Sequence, residues 1–378
     1  MANSSDVPAL AGAPLEVLFC GRDMHAGYAF TKQELEGETG VAVLQCDRDQ
    51  LAAALATADV AVPLMCRLDA ALLRAAPRLK LVIQYGVGVE GIDIPEATSS
   101  GVWVSNIPSA RTGNAASCAE HAVYLLLACL RHHNAMADSI QQRRLGMPLG
   151  QTLLGKSVLV VGFGNIANEL IVRLKPFGVH ILVLRRKPWG HPQGGQAAGQ
   201  QQQQQPLPQQ HGQHAAERAQ HDSQLEAAAE AALADRGVWG QDSARLAARA
   251  DLIALTCHQD EHNRGMVDAD FLAHCKPGVR IVNIARGGLL DYAAVREGLD
   301  SGRIAAMGLD VQEHEPVDPQ HWLAQHPSVY LTPHVAGVTE LSYRNMARVV
   351  ADAVRRLQRR QPPERLLNAP PAPRGLAQ

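Results

Sequence analysis

Val158-Leu159-Val160-Val161 runs directly into Gly162-Phe163-Gly164-Asn165-Ile166-Ala167, an apolar strand pattern followed at once by a GxGxxA turn and a helical pattern reaching Leu174. Few features restrict a fold more. The first glycine permits the tight turn, the second lets a pyrophosphate approach the backbone, and a small third residue, here Ala167, keeps the helix close to the strand. A helix beginning there turns unpaired amides and the positive end of its dipole toward an anion. Gly162, Gly164, Asn165 and Ile166 are therefore candidate dinucleotide-binding positions. The fingerprint alone is weak, but a second strand pattern, His180–Leu184, ends about twenty residues on, as a βαβ unit requires.

The same rhythm fills the chain. Apolar runs at 15–20, 41–45, 60–64, 79–85 and 102–106 alternate with Ala-rich helical patterns such as 51–58 and 69–75. After the fingerprint, strand patterns recur at 252–256, 279–284, 305–311 and 329–331. Strands alternating with helices imply parallel sheet. Between the two series, Ser117-Cys118-Ala119-Glu120 has the spacing of a capping box, which predicts a helix from there to about Arg131.

Composition excludes several classes. At 378 residues and 46% hydrophobic, the chain can bury two cores. Thirty-five Lys and Arg against 37 Asp and Glu leave a charge of -2, so no global attraction to nucleic acid or anionic lipid exists. The longest uncharged apolar run, 122–130, is far shorter than the roughly 20 residues that span a bilayer. Residues 1–14 lack the pattern of a secretory or organellar leader, which points to the cytoplasm. Cys20, Cys46, Cys66, Cys118, Cys129, Cys257 and Cys275 form no CxxC pair, arguing against disulfides and a thiolate metal site.

One stretch interrupts the pattern. Residues 190–233 are rich in Gln, Ala, Gly and His and include the homopolymer Gln200–Gln205, so they predict a largely disordered surface insertion, with 227–234 able to form a helix. Its His211, His214 and His221 have no Cys or acidic companion at ligand spacing, and no metal is expected. Residues 362–378 carry five prolines, and the last of them, 366–378, predict a loose tail.

At the end of the second strand, where a carboxylate commonly accepts the adenosine ribose, the chain reads Leu184-Arg185-Arg186-Lys187. Arg185 and Arg186 can pair with a 2′-phosphate, which favours NADP(H), with NAD possible; the competing reading is a solvated basic turn opening the insertion.

Four blocks together resemble the D-isomer-specific 2-hydroxyacid dehydrogenases: Tyr85-Gly86-Val87-Gly88-Val89-Glu90-Gly91-Ile92-Asp93, the GxGxxA block, Val282-Asn283-Ile284-Ala285-Arg286-Gly287-Gly288, and Gly308-Leu309-Asp310-Val311 through Glu315-Pro316 to Thr332-Pro333-His334. The resemblance covers Leu79 to Gln358 apart from the insertion. It implies an α/β fold of two Rossmann-like, doubly wound parallel-sheet domains. A dinucleotide-binding domain, 116–334, would be inserted in a substrate domain made of 1–115 and 335–365. It also implies a homodimer formed around the helix after Ser117.

The family's active-site trio falls on Arg286, Glu315 and His334. A guanidinium fork suits the carboxylate of a 2-oxo acid, an imidazolium can protonate the carbonyl oxygen as hydride arrives, and a carboxylate steadies that imidazolium. The resemblance further implies that the amides of Val87 and Gly88 grip the carboxylate, that Ala285 lies at the cofactor, and that Asp310 orients the nicotinamide carboxamide. The activity expected is NADP(H)-dependent reduction of a small 2-oxo acid such as glyoxylate or hydroxypyruvate. The alternatives are a dinucleotide-sensing interaction protein like the carboxy-terminal-binding co-repressors, and an NAD-dependent enzyme of the phosphoglycerate type. The loop Cys257–Asn263 departs from the proline-containing stretch usual there, which leaves its cofactor contacts open.

Overall fold

The computed structural model describes residues 13–23, 25–189 and 212–375. They fall into two compact units: residues up to Thr112 together with those from Glu340 onward, and residues from Gly113 to Thr339.

The first unit alternates β1 (Leu15–Cys20), α1 (His25–Glu34), β2 (Val41–Cys46), α2 (Leu51–Leu55), β3 (Val60–Pro63), α3 (Ala70–Arg74), β4 (Leu81–Gln84), α4 (Ile94–Ser99) and β5 (Trp103–Asn106). The strands form one parallel sheet in the order β2-β1-β3-β4-β5. Its central strands β3 and β4 are almost wholly buried, which explains their continuous apolar runs. The C-terminal helix, Glu340–Gln358, buries Tyr343, Met346, Val350, Val354 and Leu357 over one face, against Val17, Phe19, Val60 and Ile83.

The described residues after that helix, 359–375, are not a loose tail. β5 is an edge strand, and Asn368 covers it: Oδ1 accepts the Val104 amide at 2.7 Å and Nδ2 donates to the Val102 carbonyl at 2.9 Å. Leu367 N donates to Val104 O at 2.8 Å, and Arg374 N to Gly101 O at 2.9 Å. Composition argued for disorder, but an open sheet edge supplies backbone partners that composition does not report.

The second unit begins with α5 (Asn114–Arg131) and α6 (His133–Gln141) and continues through β6 (Ser157–Val161), α7 (Asn165–Leu174), β7 (His180–Arg185), α8 (Gly212–Ala231), β8 (Leu233–Val238), α9 (Ser243–Ala247), β9 (Leu252–Leu255), α10 (Ala269–His274), β10 (Val279–Asn283), α11 (Tyr292–Asp300), β11 (Ile304–Leu309), α12 (Trp322–Gln325) and β12 (Val329–Leu331). The seven strands are parallel, ordered β12-β11-β10-β9-β6-β7-β8. Leu125, Leu126, Leu170 and Ile171 cover one face, and Leu246, Phe271, Leu272 and Val295 the other. Helix α5 reaches the sheet closely because β11 offers Gly308, where a Cβ would lie 2.9 Å from Leu125 Cβ. Both units are thus doubly wound parallel α/β sheets, as the alternation predicts. No helix among the described residues is long and apolar enough to cross a membrane.

Three expectations need correction. Helix α5 starts at Asn114, not at a Ser117 cap: Ser117 lies inside the first turn, its Oγ donating to Gly113 O at 2.8 Å and hydrogen-bonding Thr339 Oγ1 at 2.8 Å. The segment counted as disordered insertion is helical from Gly212 and buries Ala229 in the core beside α7. The helix expected over 227–234 stops at Ala231, and Leu233–Val238 is an edge strand whose Asp235 and Arg236 hide its strand character. Gln200–Gln205 and His211 lie outside the described residues; His214 and His221 fall within α8.

Candidate active site

Strands β10, β11 and β12 each end in a loop that carries one member of the trio, at the carboxyl ends where parallel α/β sheets hold their ligands. Asn283, fully buried, shapes the first loop: its Oδ1 accepts the Ala285 amide at 2.9 Å and its Nδ2 donates to the Arg286 carbonyl at 2.9 Å. This side-chain turn fixes where Arg286 leaves the strand. Arg286 Nη1 donates to Ala285 O at 2.7 Å. Gly287 follows where any side chain would collide, since a Cβ would fall 2.1 Å from the Gln312 carbonyl carbon.

Glu315 and His334 meet across the other two loops. His334 Nδ1 lies 2.7 Å from Glu315 Oε2, and Glu315 Oε1 accepts the Gln312 amide at 2.8 Å. Burial pushes the Glu315 carboxyl up, but the hydrogen bond and charge of His334, the Gln312 amide and the charge of Arg286 together bring it below the ordinary carboxylate value. With Nδ1 given to the carboxylate, Nε2 is the nitrogen His334 can offer to a substrate. Arg286, Glu315 and His334 therefore form one electrostatic group.

Asp310 is tied into the loop that follows β12. Its side chain is 1% exposed, and both oxygens are taken within the protein: Oδ1 by Thr332 Oγ1 at 2.5 Å and the Val335 amide at 2.9 Å, Oδ2 by the Ala336 amide at 2.9 Å. His334 N also donates to Asp310 O at 2.9 Å. His121 Nε2 stands 3.5 Å from Oδ1, and burial holds His121 below the ordinary histidine value despite that charge. Asp310 braces the loop that presents His334, whose φ of 53° needs such support.

At the fingerprint, Gly162 has φ 115°, and a Cβ there would lie 2.8 Å from Thr256 Oγ1 and 2.9 Å from Cys257 N. Gly164 is extended, and a Cβ on it would meet nothing within 4 Å. Open space above Gly164, beside the first amides of α7 at Asn165 and Ile166, fits a pyrophosphate. Beyond β7, Arg185 donates to the Lys187 and Pro188 carbonyls and stacks on Trp189, 4.3 Å from the ring centroid, while Arg186 pairs with Asp260 of the divergent loop. Both arginines lie at the expected strand end, with Nε and Nη2 of Arg185 and Nη1 of Arg186 engaged by protein partners.

Val87 and Gly88 belong to the first unit, on the loop after β4. The Val87 carbonyl accepts Asn106 Nδ2 at 2.6 Å, and Asn106 Oδ1 accepts Arg365 Nε at 2.6 Å. This support escapes sequence reasoning because Arg365 arrives from 259 residues away. Asn283, by contrast, had a local signal, an Asn at a strand end opening a turn.

Residues 123–205 and 214–336, more than half of the chain, match the family described as "D-isomer specific 2-hydroxyacid dehydrogenase, NAD binding domain". The chain belongs to this family. The D-3-phosphoglycerate dehydrogenase of Mycobacterium tuberculosis is 34% identical over 314 residues, covering 82% of this chain and 51% of the relative. The glyoxylate reductase of Pyrococcus furiosus is 28% identical over 352 residues, covering 90% and 92%. The chain thus spans about half the length of the phosphoglycerate dehydrogenases and nearly all of the glyoxylate reductase. Among solved structures, the pyruvate reductase of Chlamydomonas reinhardtii superposes with a TM-score of 0.70 at 24% identity, over 94% of this chain and 99% of that one. The D-lactate dehydrogenase of Escherichia coli gives 0.70 at 21% identity, over 93% and 99%. These two likenesses speak for the fold. An NAD-binding domain of this 2-hydroxyacid dehydrogenase family implies a nicotinamide dinucleotide as cofactor.

Proposed function

We propose that this protein reduces a small 2-oxo acid to its D-2-hydroxy acid with NADP(H). The observation that carries the reading is the 2.7 Å pairing of His334 with Glu315 beside the charge of Arg286, on three neighbouring strand ends of a dinucleotide fold. Gly162, Gly164, Asn165 and Ile166 would hold the pyrophosphate, with Ala285 near the cofactor. When bound, the reduced nicotinamide supplies the hydride. Arg286 grips the substrate carboxylate with its planar fork and, with the amides of Val87 and Gly88, orients the carbonyl. His334 gives the proton from Nε2 to the carbonyl oxygen as charge develops there, and Glu315 stabilises the imidazolium before transfer.

NADP(H) is favoured because the end of β7 carries Arg185, Arg186 and Lys187 and no carboxylate. A 2′-phosphate would compete with Asp260 for Arg186. Relatives named glyoxylate reductase, hydroxypyruvate reductase and phosphoglycerate dehydrogenase make glyoxylate, hydroxypyruvate and a phosphorylated 2-oxo acid the first substrates to try.

The domain division we assign is a nucleotide-binding segment, 116–334, inserted in a substrate-binding one. We also assign a homodimer: Tyr124, Met136, Ile140, Leu145, Met147 and Leu149 form an exposed apolar series along α5, α6 and the segment after them, a pattern that marks a protein interface.

The test is NADPH and NADH oxidation with a panel of 2-oxo acids. His334→Ala should lower kcat by roughly 10²–10⁴, and Arg286→Ala should lower kcat/KM by about two to three orders of magnitude. Tight nucleotide binding without turnover on any acid would overturn the proposal.

A further inference from the structure

At the end of the seven-stranded sheet opposite the trio, where β6, β9 and β10 begin, lies a cavity of about 360 Å³. Gln151, Lys156, Asp251, Lys276, Arg280 and Ala305 contribute to its lining. Arg280 sits where the register of β10 against β11 shifts, between Val279 and Arg280. It is only 7% exposed.

Its charge has no counter-ion among the described residues. Nη1 of Arg280 donates to the Gly278 carbonyl at 3.4 Å, Nε is buried without a partner, and among the described residues no carboxylate pairs with it. A guanidinium withdrawn from water without a counter-ion or full hydrogen bonding is strongly disfavoured, so a buried one facing a cavity points to something that enters. Asp251 does not serve. Its Oδ1 takes Lys276 Nζ at 2.8 Å and its Oδ2 takes the Ser157 amide at 2.8 Å. Burial pushes the Asp251 carboxyl up, but Lys276, the Ser157 amide and the charge of Lys156 hold it below the ordinary carboxylate value, so it stays ionised and neutralises one cation. Lys156 and Arg280 remain in excess.

We propose that this cavity binds the phosphate group of a small phosphate monoester. A dianion balances the two excess charges, and its three terminal oxygens can accept from the Arg280 guanidinium and the two lysine ammoniums. The volume falls at the small end of the range of about 300–1,000 Å³ typical of small-molecule pockets, which leaves space for an organic group beside the phosphate. The site is distinct from the cofactor turn, which opens at the carboxyl end of β6.

Calorimetric titration of the full chain with glycerol phosphate, and separately with inorganic phosphate, at fixed ionic strength tests it. Saturable binding of glycerol phosphate is expected, tighter than that of inorganic phosphate, and at least tenfold weaker in Lys156→Met and Arg280→Met. Lys156 is partly exposed, so its variant folds even where Arg280→Met does not. Arg286→Ala should bind glycerol phosphate as the wild type does. No saturable binding, equal affinity in Lys156→Met, or loss in Arg286→Ala overturns the site. The titration does not read turnover, so its failure and failure of the reductase reading are separate results.

Discussion

The carboxylate of Glu315 is shared between two donors, with Oε2 2.7 Å from Nδ1 of His334 and Oε1 2.8 Å from the Gln312 amide. A carboxyl held below its ordinary value in the folded state contributes stability that is full above the unfolded value, near 4.3 for glutamate, and is lost as pH falls through the folded value. Glu315→Gln should therefore be less stable than the wild type at pH 7, with the gap closing below about pH 4. Denaturant midpoints measured from pH 7 down to pH 3 check this; a gap constant across that range would mean the charge is not the source.

Asp310→Asn tests the brace behind His334. The amide keeps one acceptor oxygen but turns an NH₂ toward donors, either the Ala336 amide or the pair formed by Thr332 Oγ1 and the Val335 amide. Leaving a buried donor unanswered predicts a loss of about 2–4 kcal/mol. On the proposed mechanism turnover falls as well, because His334 loses its support. Thermal unfolding at or above the wild-type temperature would refute the assignment.

The two fingerprint glycines should respond differently to alanine. Gly162→Ala forces a side chain into a positive-φ backbone and against Thr256 and Cys257, with an expected cost of about 1–3 kcal/mol for the backbone alone. Gly164→Ala enters open space and should fold normally while weakening dinucleotide binding, since its methyl occupies the volume assigned to the pyrophosphate. Paired measurements of melting temperature and nucleotide affinity separate the two effects.

Asp260 pairs with Arg186, so on the proposed NADP(H) reading Asp260→Ala should tighten NADPH binding relative to NADH. An exposed ion pair is worth about 0.2–1 kcal/mol, which limits the gain to roughly fivefold. Arg185→Asp should reduce the preference for NADPH; an unchanged ratio of the two KM values would remove the phosphate account of this turn.

Much of the scaffold was legible because a strand buried on both faces is largely apolar: 15–20 and 157–161 are interior strands with the bounds their residues predict. Two edge elements were not. β8 carries Asp235, Arg236 and Gly237, and the residues around Asn368 have no periodicity, because each has one side against the sheet and another in water. The trio could be located by resemblance to a family, yet what holds it could not. Asp310 bonds to amides 25 and 26 positions away, and Arg280 became notable only once its burial without a counter-ion was seen.

The order of the seven strands has a corollary. β10, β11 and β12 occupy one margin of the sheet and β7 and β8 the other, and the glutamine-rich stretch joins β7 to α8. The trio is thus carried by strands at the margin opposite the one where that connection leaves the sheet, and the closure entropy of a connection grows slowly, by about 0.6 kcal/mol for each doubling of length. A change in the length of that connection is therefore compatible with an unchanged register among the strands that align Arg286, Glu315 and His334.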